Sequence, residues 1–118
     1  MFDVITIGSA TRDNFLKGEY TLIDWPDTPS GKALAFPLGE KLEATEVYFT
    51  IGGNAANASV TFARQGLKTA CVAKVGDDLS GRELVARLKQ EGVSTKFIAY
   101  AKEKPTPYSV LLLTGGER

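Results

Sequence analysis

Histidine is absent from this sequence of 118 residues, and cysteine occurs only once. Without histidine, the chain cannot form a Ser-His-Asp or Cys-His catalytic pair or a histidine-ligated metal site. The single cysteine, Cys71, cannot form a disulfide within the chain, and its apolar neighbours are typical of a free thiol in a reducing compartment. The sequence therefore predicts a cytoplasmic location.

An excess of charge of either sign is also lacking. The chain has 14 basic and 14 acidic residues, so its formal net charge is zero. No basic block is present to attract nucleic-acid phosphates or anionic lipids. No apolar run is long enough to span a bilayer, and the N-terminal stretch lacks the positive start of a signal peptide. We therefore predict no nucleic-acid partner and no membrane partner.

The order of apolar segments along the chain is typical of an α/β fold. The predicted elements are strands at residues 2–7, 20–23, 32–36, 46–51, 69–75, 97–101 and 108–113, and helices at 54–66 and from Ser80 to about Gly92. The first strand is expected to be buried in a parallel sheet. Residues 9–14 are polar and are predicted to form a loop. The second helix is predicted to begin at a capping box made by Ser80 and Glu83.

A glycine pair, Gly52-Gly53, separates a predicted strand from the helix that follows it. Glycine allows another group to approach the backbone closely, and the first amides of a helix have no partner within the helix. Hydroxyl oxygens of a sugar can accept hydrogen bonds from such amides. Asn57, one turn into the helix, has a side-chain amide that can both donate and accept. Taken singly, these residues are equally typical of an ordinary turn and an exposed helix position.

Asp13 lies in the predicted loop after the first strand. A carboxylate there can accept two charge-assisted hydrogen bonds from neighbouring sugar hydroxyls, although aspartate is also common in turns. Because the carboxyl ends of parallel strands meet at one edge of a sheet, Asp13 and residues 52–57 are predicted to line one crevice.

Two nucleotide-binding patterns are missing from the sequence. Asn54 and Asn57 stand where a GxGxxG motif requires glycine, and no GxxxxGK[ST] motif occurs. The acidic pair Asp77-Asp78 is predicted to form a turn before the second helix, because carboxylates favour a helix N-terminus. We therefore predict no metal-binding residue in this chain.

Residues at fixed spacings resemble the N-terminal signature of the PfkB, or ribokinase-like, carbohydrate kinase family. They are Gly52, Gly53, Ala55, Asn57, Ser59, Gly66 and Gly76. The segment from Gly76 to Gly81 also resembles the GDDxxG turn of that family. The resemblance covers the whole chain and implies the N-terminal part of a ribokinase-like, Rossmann-type α/β/α sandwich with a small β-sheet lid.

The resemblance implies an ATP-dependent kinase that phosphorylates a hydroxyl of a sugar or nucleoside. It assigns substrate binding to Asp13, Gly52, Gly53 and Asn57. It assigns the lid to residues 15–50 and 95–118, and the α/β core to residues 1–14 and 51–94. It also implies that two copies can form a homodimer through the lid.

The C-terminal GAGD-type turn of the family, which carries its catalytic aspartate, is absent from these residues. We therefore predict no catalytic residue in this chain, and we expect ATP and Mg²⁺ to bind residues outside it. The strand that enters Gly115-Gly116 lacks a returning partner, which also indicates an inactive fragment. Two alternatives stay open: a non-catalytic binding or dimerisation module with this fold, and a different α/β enzyme that shares only the architecture.

Overall fold

A computed structural model describes residues 1–115 of the chain. The elements in chain order are β1 Val4–Ile7, β2 Thr11–Lys17, β3 Thr21–Asp24, β4 Lys32–Ala35, β5 Glu46–Gly52, α1 Asn54–Arg64, β6 Thr69–Gly76, α2 Leu79–Gln90, β7 Ile98–Ala101 and β8 Tyr108–Leu113. Every strand and helix predicted from the sequence is present, with ends that differ by two residues or fewer. Within the described residues, no helix is long and apolar enough to cross a lipid bilayer.

The chain divides into two compact units. Unit 1 contains residues 1–14 and 49–109, and unit 2 contains residues 15–48 and, among those described, residues 110–115. Residues 95–109, which the sequence assigned to the lid, lie in unit 1 because β7 pairs with β6. The lid assignment itself stays a prediction. Gly116 of the predicted Gly-Gly turn lies outside the described residues.

Unit 1 is built on a parallel sheet with the strand order β1-β6-β7. Thr6 pairs with Cys71, and Ala73 pairs with Ile98, in registers that run along each strand. Apolar residues of both helices pack on one face of this sheet. The core consists of Ala10, Ala55, Ala56, Cys71, Ala73, Val75, Leu84, Val85, Leu88, Val93 and Ile98.

The burial of β1 differs from the prediction that this strand is fully buried. Thr6 faces the helices and donates a hydrogen bond to the carbonyl oxygen of Ala55 at 2.9 Å. Ile5 and Ile7 point the other way and are 49% and 76% exposed. Successive side chains of a strand alternate between faces, and among the described residues of unit 1 no helix covers the second face.

The predicted loop at residues 9–14 is wrong from Thr11 onward, because β2 begins there. This strand belongs to a second sheet, with the strand order β5-β2-β8. Its polar side chains bond within the fold: Asn14 is 5% exposed and donates to the carbonyl oxygen of Ser109 at 3.1 Å. The amide of Arg12 donates to the carbonyl oxygen of Pro107 at 2.9 Å. Polarity therefore did not mark a loop here.

The start of α2 also differs from the prediction, because Asp78 and not Ser80 caps it. Asp78 has an extended backbone, and its Oδ1 accepts a hydrogen bond from the amide of Gly81 at 2.8 Å. The same carboxylate accepts the hydroxyl of Thr106 at 2.7 Å and the amide of Thr106 at 2.9 Å. Asp78 therefore joins the start of the helix to the segment that precedes β8.

Gly76 and Gly81 are required by space at this junction. A Cβ atom on Gly81 would collide with the carbonyl oxygen of Gly76. A Cβ atom on Gly76 would collide with the backbone nitrogen of Thr106 and, at 2.8 Å, with the carbonyl oxygen of Lys104. These contacts give a packing reason for both glycines of the GDDxxG turn.

Unit 2 contains an antiparallel hairpin of β3 and β4, in which Thr21 pairs with Ala35. Aromatic pairs hold this unit. Phe15 and Tyr48 stack with their ring centroids 5.0 Å apart, and Tyr20 meets Phe36 edge to face at 5.8 Å. Most of the aromatic residues of this region therefore pack against one another.

We predict that acid destabilises the fold through Asp78. Hydrogen bonds from the side chain and amide of Thr106, and from Gly81, hold the pKa of Asp78 below its ordinary value. Because the folded pKa is the lower one, this stabilisation is present above the unfolded pKa of about 4 and is lost as pH falls through the folded pKa. Urea unfolding between pH 7 and pH 3 will show a shallower pH dependence for Asp78→Asn than for the wild type. The exposed Asp27→Asn control should keep the wild-type profile, and equal slopes for Asp78→Asn and the wild type would refute the prediction.

We also predict that Gly81→Ala destabilises the protein by about 1–3 kcal/mol, the usual cost of overpacking. The sign of this change in unfolding free energy is informative, because alanine in a helix interior otherwise stabilises by about 1 kcal/mol relative to glycine. Thermal or urea unfolding measures the effect. Ser80→Ala is the matched control and should change stability by less than about 0.5 kcal/mol, as expected of a side chain that is not the cap. A neutral Gly81→Ala or a damaging Ser80→Ala would contradict this account of the junction.

Candidate functional site

The segment after β1 and the turn after β5 are joined by hydrogen bonds within unit 1. The carbonyl oxygen of Ser9 accepts the amides of Ala55 at 3.1 Å and Ala56 at 3.2 Å. The side-chain oxygen of Asn54 accepts the amide and the hydroxyl of Ser9, both at 2.9 Å. The amide of Asn54 in turn donates to the hydroxyl oxygen of Ser9 at 3.1 Å. We call these contacts the Ser9–Asn54 interlock.

The interlock overturns one expectation from the sequence, namely that the first amides of α1 are free for a ligand. The amides of Asn54, Ala55 and Ala56 all donate to Ser9 or to the side chain of Asn54. The amide of Gly53, just before the helix, has no hydrogen-bond partner among the described residues. The side-chain nitrogen of Asn54 likewise has none, because the hydrogen bonds of that side chain to described residues are all made by its oxygen.

Asp13 lies on β2, where its carboxylate has one fixed oxygen and one free oxygen. The hydroxyl of Thr11 donates to Oδ1 of Asp13 at 2.9 Å. Residues two apart share a strand face, so Thr11 and Asp13 lie side by side. The second oxygen lies over Gly52 and accepts no hydrogen bond from a described residue.

The opposite face of β2 is fixed by Arg12. Its guanidinium lies 4.0 Å from the ring centre of Phe49, donates to Oδ1 of Asn14 at 3.0 Å and forms an ion pair with Glu83. Arg87 lies 4.4 Å from the same ring. These contacts restrain β2 on the face opposite to Asp13. Because they fix the backbone of the strand, they also restrain the direction of the Asp13 side chain.

The glycine pair has two separate structural roles. A Cβ atom on Gly52 would collide with the carboxylate of Asp13 and the hydroxyl of Thr11, so glycine makes room for that pair. Gly53 has a φ of +90° and lies against the backbone of Ser9. Other residues rarely adopt this conformation, so a side chain at position 53 would be strained and would also collide.

Asn57 lies on the exposed side of α1, and its side-chain amide has no partner among the described residues. Its amide nitrogen donates to the carbonyl oxygen of Gly53 at 2.9 Å. The side chain borders a cavity of about 400 Å³, whose lining also includes Thr50, Thr61, Arg64, Arg87 and Glu91. The structure therefore brings Asp13 to Gly52, and Gly53 to Asn57, without a direct contact between Asp13 and Asn57.

Sequence reasoning missed Ser9, Thr11 and Asn54, although all three make specific contacts at this site. The serine and threonine stood in a stretch that was read only as a polar loop. Asn54 directly follows the glycine pair as the first residue of α1, and asparagine is a residue that commonly bonds to backbone amides near a helix start. That position was the signal which could have revealed the interlock.

Acidic residues do not cluster at this site. Across residues 1–115, no group of three or more Asp, Glu, Cys or His side chains could hold a metal ion. The site therefore presents the carboxylate of Asp13 with the hydroxyl of Thr11 beside it.

A sequence model of the pfkB family carbohydrate kinases matches residues 19–118. Among curated proteins, the ribokinase of Mus musculus is 38% identical over 68 residues, which are 58% of this chain and 21% of that protein. Fructokinase-2 of Solanum lycopersicum is 38% identical over 98 residues, which are 82% of this chain and 28% of that protein.

A solved structure of Arabidopsis thaliana ribokinase, complexed with ribose and ATP, has the same fold. It matches with a TM-score of 0.80 and 21% identity over 99% of this chain and 34% of that one. The fold is therefore the expected ribokinase-like α/β architecture. This chain spans about a fifth to a third of the length of these three proteins. By the match of the family model over most of its length, the chain belongs to the pfkB family of carbohydrate kinases.

Proposed function

We propose that this chain is the N-terminal part of an ATP-dependent kinase that phosphorylates a hydroxyl of a sugar or nucleoside. The observation that carries the proposal is the carboxylate of Asp13, which Thr11 orients over Gly52 with one oxygen free. In this proposal Asp13, Gly52, Gly53 and Asn57 supply half of the substrate site. The family membership supports the class of reaction.

The free oxygen of Asp13 would accept a hydrogen bond from a substrate hydroxyl. Bonds of this kind to a charged acceptor contribute roughly 1.5–3 kcal/mol. Gly52 takes part indirectly, because it leaves the space that the carboxylate occupies. The Thr11 hydroxyl removes one acceptor position and so restricts the direction from which a substrate hydroxyl can approach.

The donors of the proposed site are the amide of Gly53 and the side-chain amides of Asn54 and Asn57. A sugar hydroxyl can donate to Asp13 and accept from such groups at the same time. The sequence predicts that the first amides of α1 donate to the sugar. These amides already donate within the Ser9–Asn54 interlock, so the three groups named above act as the donors instead. The arrangement therefore combines one strong acceptor with several neutral donors.

We propose that ATP is the phosphoryl donor and that Mg²⁺ accompanies it. ATP supplies the transferred phosphoryl group, as its presence with ribose in the Arabidopsis relative supports. No described residue is assigned to ATP, Mg²⁺ or the catalytic base. The part played by this chain is to bind and orient the substrate.

We also propose that unit 2 is the lid and that two copies of the protein pair through it in the cytoplasm. Unit 2 exposes large apolar side chains, including Leu22 at 51%, Trp25 at 51% and Leu38 at 102%. Exposed apolar groups of this kind are typical of a protein contact surface. The balanced net charge favours a small-molecule substrate and a second copy over nucleic acid or membrane partners.

We predict that Asp13→Asn weakens substrate binding at least about tenfold, because a charge-assisted hydrogen bond is replaced by a neutral one. The measurement is a thermal-shift screen of the intact protein with sugars and nucleosides, followed by calorimetric titration of each hit. Asp77→Asn is the matched control, since this surface carboxylate pairs only with Arg82. Absence of any hit with the wild-type protein would reject the kinase proposal in favour of a non-catalytic module. A hit that Asp13→Asn leaves unchanged would reject only the role of Asp13.

We predict that the double variant Leu22→Ser/Trp25→Ser shifts the dimer equilibrium toward monomer by at least about tenfold, since buried aromatic and aliphatic anchors dominate such interfaces. Sedimentation velocity over a concentration series gives the dissociation constant. Leu79→Ser, which alters a side chain of unit 1 that is 67% exposed, should leave the constant unchanged. A wild-type protein that stays monomeric throughout the series would disprove pairing through unit 2.

A further inference from the structure

A second cavity lies in unit 1, at the carboxyl end of β6 and β7. Its volume is about 450 Å³, within the range of small-molecule sites. Its lining includes Lys74 of β6, Tyr100 of β7 and the loop residues Lys102, Glu103 and Lys104. None of the residues assigned to the substrate site lines this cavity. Lys74 is about 30 positions from the other two lysines in sequence, so no basic block marks the site in the sequence.

The charge around this cavity is not balanced. Three lysines and one acidic residue, Glu103, line it, and the five ion pairs found among residues 1–115 involve none of the four. By contrast, the guanidinium of Arg64 at the cavity near Asn57 is held by both oxygens of Glu91, at 2.8 and 2.7 Å. The lysine cavity therefore carries a positive charge that is free to attract an anion.

The loop that carries two of the lysines is fixed at both ends. Before it, the carbonyl oxygen of Ala101 accepts the amide of Asp77 at 2.9 Å. After it, the side chain of Thr106 is buried, donates to Asp78 at 2.7 Å and accepts the amide of Gly76 at 2.9 Å. Only the side chains need to be ordered when a ligand binds, which lowers the entropic cost of binding.

We propose that this lysine cavity, formed by Lys74, Lys102 and Lys104, binds a phosphate group. Each ammonium group has three donors and no acceptor, and phosphate has several charged acceptor oxygens. A doubly charged oxyanion matches the excess of about two positive charges left after Glu103 is counted. Tyr100, which is 44% exposed, also lines the cavity. The phosphate can be inorganic or can belong to a phosphorylated metabolite.

Calorimetric titration of the intact protein with inorganic phosphate, and separately with a set of sugar phosphates, tests the proposal at near-physiological salt. The wild type should bind at least one probe saturably, with an affinity that falls as salt rises. Lys102→Gln/Lys104→Gln should weaken that binding at least tenfold, and Lys74→Gln should weaken it as well. Tighter binding of a sugar phosphate than of inorganic phosphate would identify a phosphorylated metabolite as the source, and the reverse order would identify the free anion.

The control is Lys41→Gln/Lys68→Gln, which removes the same charge from exposed positions outside the cavity. It should retain wild-type affinity, and unfolding midpoints of all variants should show that the fold is kept. Absence of saturable binding by the wild type, or an equal loss in the control, would overturn the proposal. Binding of non-phosphorylated sugars, measured in the same variants, should be unchanged. Failure of the phosphate proposal can therefore be distinguished from failure of the kinase proposal.

Discussion

The Ser9–Asn54 interlock is the contact on which the proposed substrate site depends. One serine supplies acceptors to three consecutive amides around the start of α1, and one asparagine oxygen receives the serine in return. Unpaired amides at the start of a buried helix carry a substantial desolvation cost, so this exchange stabilises the position of the helix. Because Gly53 and Asn57 are attached to that helix start, their placement follows from the same contacts.

The interlock also changes what the site can offer to a substrate. A helix N-terminus with free amides would act as a general anion site. With those amides used internally, the remaining groups are the carboxylate of Asp13 and a few neutral donors. In the substrate site that we propose, such a set would discriminate against anions and favour hydroxyls. The lysine cavity has the opposite charge character, so our two proposals assign the recognition of neutral and charged groups to two different places in unit 1.

The sequence predicted the fold well, and the substrate-binding roles of Asp13, Gly52, Gly53 and Asn57 stay a prediction. Alternation of apolar strands with amphipathic helices reports burial directly, so nearly every element was located within two residues. It failed at β2, where the polar residues Thr11 to Asn14 bond to one another and to neighbouring backbone, which no periodicity records. It also placed the cap of α2 at Ser80, because two neighbouring residues offer suitable oxygens and only the backbone angles select Asp78.

At the candidate site, the signature residues were found because their spacing is fixed. Their physical roles were less accessible. The glycine at position 52 was expected to let a ligand approach, and in the structure it accommodates Asp13 and Thr11 from the same chain. A glycine can leave room for a ligand or for side chains of the same chain. To tell these apart at position 52, one must know where Thr11 and Asp13, about 40 residues earlier in the sequence, lie in space, and a local sequence pattern does not contain that information.

The hydroxyl of Thr106 links the backbone amide of Gly76 to the carboxylate of Asp78 at the junction before α2. Its oxygen lies 2.7 Å from Oδ1 of Asp78 and 3.5 Å from the carbonyl oxygen of Gly76, so the hydroxyl donates to the carboxylate. The hydroxyl oxygen meanwhile accepts the Gly76 amide, so the bonds run in one direction, from amide to hydroxyl to carboxylate. Bonds aligned head to tail polarise one another. The backbone amide at the end of a buried strand is thereby coupled to the charge of Asp78. Protonation of that carboxylate removes the charged acceptor at one end of the series of bonds, while the Gly76 amide, which can only donate, keeps its direction.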